Sequence, residues 1–415
     1  MVKKVSFIII KKKSLIYSLI GAAICLAAIF VCVNVFSSEF QTVIGQNDSG
    51  YVILAMNDSG MHCYQKDYSS FLILPPGNTL KVQVIQNNFE TAQLINSGIE
   101  VSYEIIDNTT SADKTNFWNY AKDYGYDVAP NIGITGNSLK GVFKLSSDGK
   151  YYEAAAIPIT PYNDGSTELN PLQLARIKTG KLLVMAENIV VPVSDEMQCS
   201  ACHGTTDTDL NILKVHDKLS ETSLVKDLND GKRYRCGDCH KDNALGLPGK
   251  ADVLPFSQAM HGFHADKMGE SSITPVCYSC HPGPVTQCYR GRMLQAGITC
   301  DNEKCHGNIA NLASTQASGR QAWLQEPDCG ACHGTAYAAN QNMLYRNSYL
   351  LNAPADEMND ILLCESCHNS PHAEWKSSQD KDNLLPISLQ GYADYLKKCS
   401  VCHEGQGKVH IRPDN

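Results

Sequence analysis

Seven clusters of cysteine and histidine occupy the last 217 residues of this 415-residue chain. Six read Cys-x-x-Cys-His: Cys199/Cys202/His203, Cys236/Cys239/His240, Cys277/Cys280/His281, Cys329/Cys332/His333, Cys364/Cys367/His368 and Cys399/Cys402/His403. The seventh, Cys300/Cys305/His306, has four residues between its cysteines. This spacing suits covalent haem attachment. Two thiols add across the two vinyl groups of one porphyrin, and the histidine beside the second thiol then lies under the iron. Structural zinc also uses Cys-x-x-Cys, pairing two knuckles into a four-ligand tetrahedron. Zinc gives no reason for a histidine after every second cysteine, and seven knuckles would leave one without a mate. A disulfide framework built from the 18 cysteines leaves the repeated histidine equally unexplained. The motifs therefore imply seven covalently held haems c.

Thirteen histidines are present. Seven belong to the motifs, which leaves His62, His216, His261, His264, His372 and His410 as candidate sixth ligands, one fewer than the haems. Electron-transfer haems are commonly closed on both axial faces by protein ligands. His368 and His372 are four apart with Pro371 between them, so His372 is expected to serve a different haem from His368. His261 and His264 are expected to serve two haems from one short segment. His410 would pin the tail, and His62 would clip the first half of the chain onto the haem half. The haem left over could take a methionine (Met260, Met268 or Met293), or stay five-coordinate and open to a small molecule. Cys63 and Cys288 belong to no motif. They could form a disulfide or remain thiols, or Cys288 could replace Cys300 in a wider attachment motif.

The N-terminus reads as an export signal: Lys3, Lys4, Lys11, Lys12 and Lys13 precede an apolar run from Ser14 to Phe36. The run is long enough to span a bilayer, so residues 1–37 are a cleaved signal or a retained membrane anchor. Either outcome exports the remainder to the periplasm, the outer surface or the medium. The formal charge of −8 becomes −13 once five lysines leave with that segment, which argues against nucleic acid as a partner.

The remainder divides into unlike parts. Residues 38–50 are a polar linker. Residues 51–195 alternate as strands do: Leu80, Val82 and Val84 face one way, and so do Ile99, Val101, Tyr103 and Ile105. Tyr51–Ala55, Gly141–Leu145, Tyr151–Ile159 and Lys181–Val193 are further strand candidates, with a turn at Ser147–Gly149 and one helix around Lys114–Tyr124. This predicts a β-rich, sandwich-like N-terminal domain. From 196 to 415 there is one motif per 31 residues, too little chain to build a side-chain core around each cofactor. That part is expected to be short helices and irregular chain folded around the porphyrins.

The segment Ala55-Met56-Asn57-Asp58-Ser59-Gly60-Met61-His62-Cys63, with Leu74-Pro75-Pro76-Gly77-Asn78 and Asn131-Ile132-Gly133-Ile134-Thr135-Gly136, resembles an N-terminal domain of multihaem c-type cytochromes of metal-reducing bacteria. Met56 stands where an aromatic residue is commoner in that family. The resemblance implies electron transfer in the periplasm or at the outer surface, with other cytochromes or redox proteins, metal oxides or electrodes as partners. Two other outcomes stay open at this stage. One is an oxidoreductase that reduces a small nitrogen or sulfur species at a five-coordinate haem. The other is a subunit of an extracellular cytochrome homopolymer.

Overall fold

The computed structural model describes residues 50–58, 60–86, 92–180, 185–268, 273–327, 329 and 362–402. The signal or anchor segment, nearly all of the linker, and the site residues Cys332, His333, His403 and His410 lie outside them.

The N-terminal region is built from two five-stranded sheets curled like a half-barrel. The first has the order β1 (Tyr51–Asn57), β4 (Asn78–Gln86), β9 (Tyr152–Ile157) and β8 (Lys144–Leu145), with β5 (Gln93–Leu94) also paired to β4. The second runs β2 (His62–Cys63), β11 (Met185–Ser194), β10 (Leu172–Gly180), β6 (Glu100–Ile106) and β7 (Lys140–Val142). Its pairs are antiparallel except β2 with β11. Register follows the apolar alternation, because a one-residue slip would turn every inward side chain outward. Ile177 thus sits opposite Tyr103, and Ala55 opposite Val82. Ile53, Val82, Val101, Tyr103, Ile177 and Val191 are all buried in one shared core.

Strand β1 is buried on both faces, which explains its unbroken apolar sequence. Ile53 and Ala55 enter the shared core. Val52 and Leu54 turn the other way, onto Leu362 and Val401 beside two of the cysteine motifs. A helix is present where the sequence places one, but α1 covers only Phe117–Tyr120. The side chain of Asn116, at the N-cap position of this helix, makes no capping bond and instead accepts a hydrogen bond from Tyr68 N at 3.0 Å.

The second half is mostly helical where it is regular: α2 (Ser200–His203), α3 (Thr208–Ser220), α4 (Leu224–Asn229), α5 (Phe256–His264), α6 (Arg292–Gln295), α7 (Ile309–Ala317), α8 (Cys364–His368) and α9 (Leu384–Gln390). A short strand, β12 (Tyr234–Arg235), pairs with β3 (Phe71–Leu72) and ties this half back to the first. Trp375 and Leu385 go further and enter the N-terminal core. No helix among the described residues is long and apolar enough to cross a membrane.

Candidate metal centres

Each Cys-x-x-Cys-His motif described in full coils into a single helical turn. In Cys199–His203 the amide of Cys202 and that of His203 both donate to Cys199 O, at 3.2 and 2.9 Å. In Cys236–His240 the amides of Cys239 and His240 donate to Cys236 O at 3.3 and 2.9 Å. The same pair of bonds closes Cys277–His281, at 3.2 and 2.9 Å. One turn sets residues i, i+3 and i+4 on one face, so both thiols and the imidazole point toward a common space. The longer Cys300–His306 motif absorbs its two extra residues in an inner turn, Cys305 N to Asn302 O at 2.9 Å. It still closes from His306 N to Cys300 O, at 3.3 Å.

Four motif histidines each face a histidine from outside the motifs. Ring centroids are 6.5 Å apart for His203 and His264, 6.2 Å for His216 and His240, 6.1 Å for His261 and His281, and 6.3 Å for His306 and His372. Two imidazoles on opposite sides of one metal ion, with bonds of about 2.0 Å and about 1.1 Å more to each ring centre, stand roughly 6.2 Å apart. The angles between ring planes range from 10° to 85°, as free rotation about a shared axis allows. Among the described residues no three His, Cys, Asp or Glu side chains converge as a single-ion cage would need; the histidines converge in twos.

The hydrogen bonds select which ring nitrogen stays free. Nδ1 of His240 lies 2.7 Å from Leu254 O, that of His261 2.8 Å from Ser257 O, and that of His264 2.8 Å from Met260 O. His216 Nδ1 lies 2.9 Å from Thr222 Oγ1. A ring that donates through Nδ1 keeps Nε2 unprotonated, which is the tautomer a metal requires. Burial also favours neutral rings. It pushes His281 down to about 4 and His372 to about 3, with further depression from neighbouring histidines. His203, His216, His261 and His306 are lowered too, chiefly by burial. Metal affinity is not opposed by a proton at such sites.

Three of the four pairs border one cavity of 2820 Å³, well beyond the ~300–1,000 Å³ that encloses a single small ligand. Thiols from different motifs meet at its wall. A hydrogen bond with Cys300 lowers Cys277 to about 7, and one with Cys329 raises Cys364 far above the usual thiol range. The walls are largely apolar, with Met268 and Met293 among them. The carbonyl of Met260 is taken by His264.

The second motif meets this space only through the loop that follows it. Cys236, Cys239 and His240 do not line the cavity, and neither does the facing His216. Lys241, Asp242, Asn243 and Ala244, directly after His240, do line it. The motif follows directly on β12, which pairs with β3 and so holds it against the N-terminal half. Behind it, Cys239 O accepts from Lys250 N at 2.8 Å, and Asp242 and Leu247 exchange backbone bonds of 2.9 and 2.8 Å that close the intervening loop. In the first motif, Cys202 and His203 also lie off the cavity wall, while Cys199 and the facing His264 lie on it.

His62 and His368 are arranged differently. His62 is half-buried at the cavity wall with Nε2, not Nδ1, against a carbonyl (Pro75 O, 3.2 Å). His368 lies nearly parallel to Tyr395, with centroids 5.4 Å apart. Cys63 and Cys288 are both thiols outside any disulfide at the cavity wall. Burial raises each of them, Cys288 to about 11.

The N-terminal half supplies groups to this region that motif reading alone does not reveal. Gln83 Oε1 accepts from Leu363 N at 3.1 Å and from Ser366 Oγ at 2.6 Å, holding the Cys364–His368 turn against β4. Asn57 O accepts from Ser370 Oγ at 2.6 Å. Both are buried polar positions on strands, the one sequence signal that marks them. Comparison of the chain with protein-family models, with curated proteins and with solved structures finds no match.

Proposed function

We propose that this chain is an exported multihaem c-type cytochrome that carries electrons through seven covalently attached haems. The observation that supports this best is the set of four histidine pairs, each joining one motif histidine to one histidine from elsewhere at the separation two axial ligands require. Haem iron bound there supplies reversible one-electron chemistry. The fourteen motif cysteines would fix the porphyrin edges. The paired histidines would close both axial faces, and the Nδ1 bonds of His216, His240, His261 and His264 hold those four rings in register.

Closing both faces at four sites leaves no open coordination position there for a small substrate, so these sites favour a carrier over an oxidoreductase. The same reading makes residues 51–195 a sandwich-like domain docked on a haem-cored domain of residues 196–415. Partners would be other redox proteins or insoluble acceptors outside the cytoplasm. Produced in a host able to attach haem c, the protein should exceed its polypeptide mass by seven haems. The EPR spectrum should be dominated by low-spin ferric signals. A mass equal to the bare chain, or mainly high-spin iron, would overturn the proposal.

A further inference from the structure

His372 is held unlike the three other paired histidines from outside the motifs, His216, His261 and His264. Its Nδ1 is buried and has no hydrogen-bond partner among the described residues, whereas His216, His240, His261 and His264 each engage Nδ1. Its backbone is strained, with φ +73°, a region costly for a side chain with a Cβ and retained only where surroundings impose it. Two bonds impose it: Arg290 N donates to His372 O at 2.7 Å, and His372 N donates to Glu374 Oε1 at 3.0 Å. They fix the main chain but not the ring.

Contacts fix the ring instead. The Tyr289 ring meets it edge-on, with centroids 5.6 Å apart. On another side the N-terminal half closes on it through Gly60. A Cβ at Gly60 would stand 2.6 Å from Pro371 O and 3.2 Å from His372 Nδ1. The first distance is impossible without movement of the Pro371–His372 backbone. Close by, the bond from Ser370 Oγ to Asn57 O locks the two segments together.

We propose that Gly60 is a positioning residue, the contact through which the β-rich half sets the His372 ring opposite His306. This rests on the reading that these two histidines ligate one haem iron. The N-terminal half thereby takes part in ligand geometry at one site instead of only covering the haem region.

The test uses the full haem-loaded protein with EPR and resonance Raman as readouts. Gly60→Ala should keep seven haems by mass while one of the seven turns high-spin, as in His372→Ala, and added imidazole should return it to low-spin. Gly98→Ala is the control, because Gly98 has the same φ of +76° but nothing within 4 Å of a built Cβ; it should match the parent. If Gly60→Ala does not accumulate, Tyr289→Leu, which frees the ring by removing volume, decides by the same readout. A fully loaded parent with Gly60→Ala or Tyr289→Leu spectra identical to Gly98→Ala overturns the positioning role alone. A parent without haem overturns the reading beneath it.

Discussion

His261 and His264 lie one turn apart on α5 yet face different partners: the His261 ring stands 6.1 Å from that of His281, and the His264 ring 6.5 Å from that of His203. One short helix therefore ties the first motif to the third. Helical residues three apart are neighbours on the surface but not coincident, so two ligands from one turn can reach two separate centres. Each of His261→Ala and His264→Ala should convert one haem to high-spin, and the double variant two. The effects should add, because neither histidine shares its partner. Quantitative low-temperature EPR measures this, and a single variant that disturbs two sites would contradict the assignment.

How far the sequence carried this picture depends on the kind of constraint. The cysteine–histidine motifs are legible because their spacing stands in the sequence itself. That His261 and His264 face different histidines, and that His372 faces one other than His368, agrees with the short-range geometry read from the sequence. The identity of the partner was not legible: His372 meets His306, some 66 residues earlier, through folding that no local pattern encodes. Nor did the motif spacing reveal that Cys236, Cys239 and His240 lie off the cavity wall while Lys241 to Ala244 lie on it, since the strand pairing just before this motif joins residues more than 160 apart. Strands β1, β4 and β6 announced themselves by apolar patterning. Strand β10 did not, because polar Gln173 and Thr179 occupy its inward face beside Ala175 and Ile177, which blurs the alternation. The role of Gly60 was hidden for the same reason as the histidine partners: what it touches lies more than 300 residues away.

Arg290 and Asp382 form an ion pair with both side chains 1% exposed, through Nε to Oδ2 at 2.6 Å and Nη2 to Oδ1 at 2.8 Å. Ser377 Oγ also donates to Asp382 at 2.6 Å. Removing one partner strands a buried charge. Asp382→Ala should therefore destabilise the protein by about 3–5 kcal/mol, whereas Arg290→Met with Asp382→Leu should recover much of the loss. Denaturant midpoints of the haem-loaded variants read this directly. Equal losses in the single and double variants would show that the pair matters for packing alone.

Glu187, on β11, is 8% exposed and accepts from Ser388 Oγ at 3.2 Å. Burial pushes its carboxyl from 4.5 up to about 7, with the Ser388 bond pulling weakly the other way. Between those values the folded chain keeps a proton that the unfolded chain has released. Stability should thus fall as pH rises through that window and level off above it, by on the order of 3 kcal/mol at most. Glu187→Gln keeps an acceptor for Ser388 but carries no charge at any pH. Its unfolding midpoint should match the parent at pH 4.5 and exceed it at pH 8. Parallel midpoints across that range would mean that the ionised carboxylate is accommodated in the folded chain without cost.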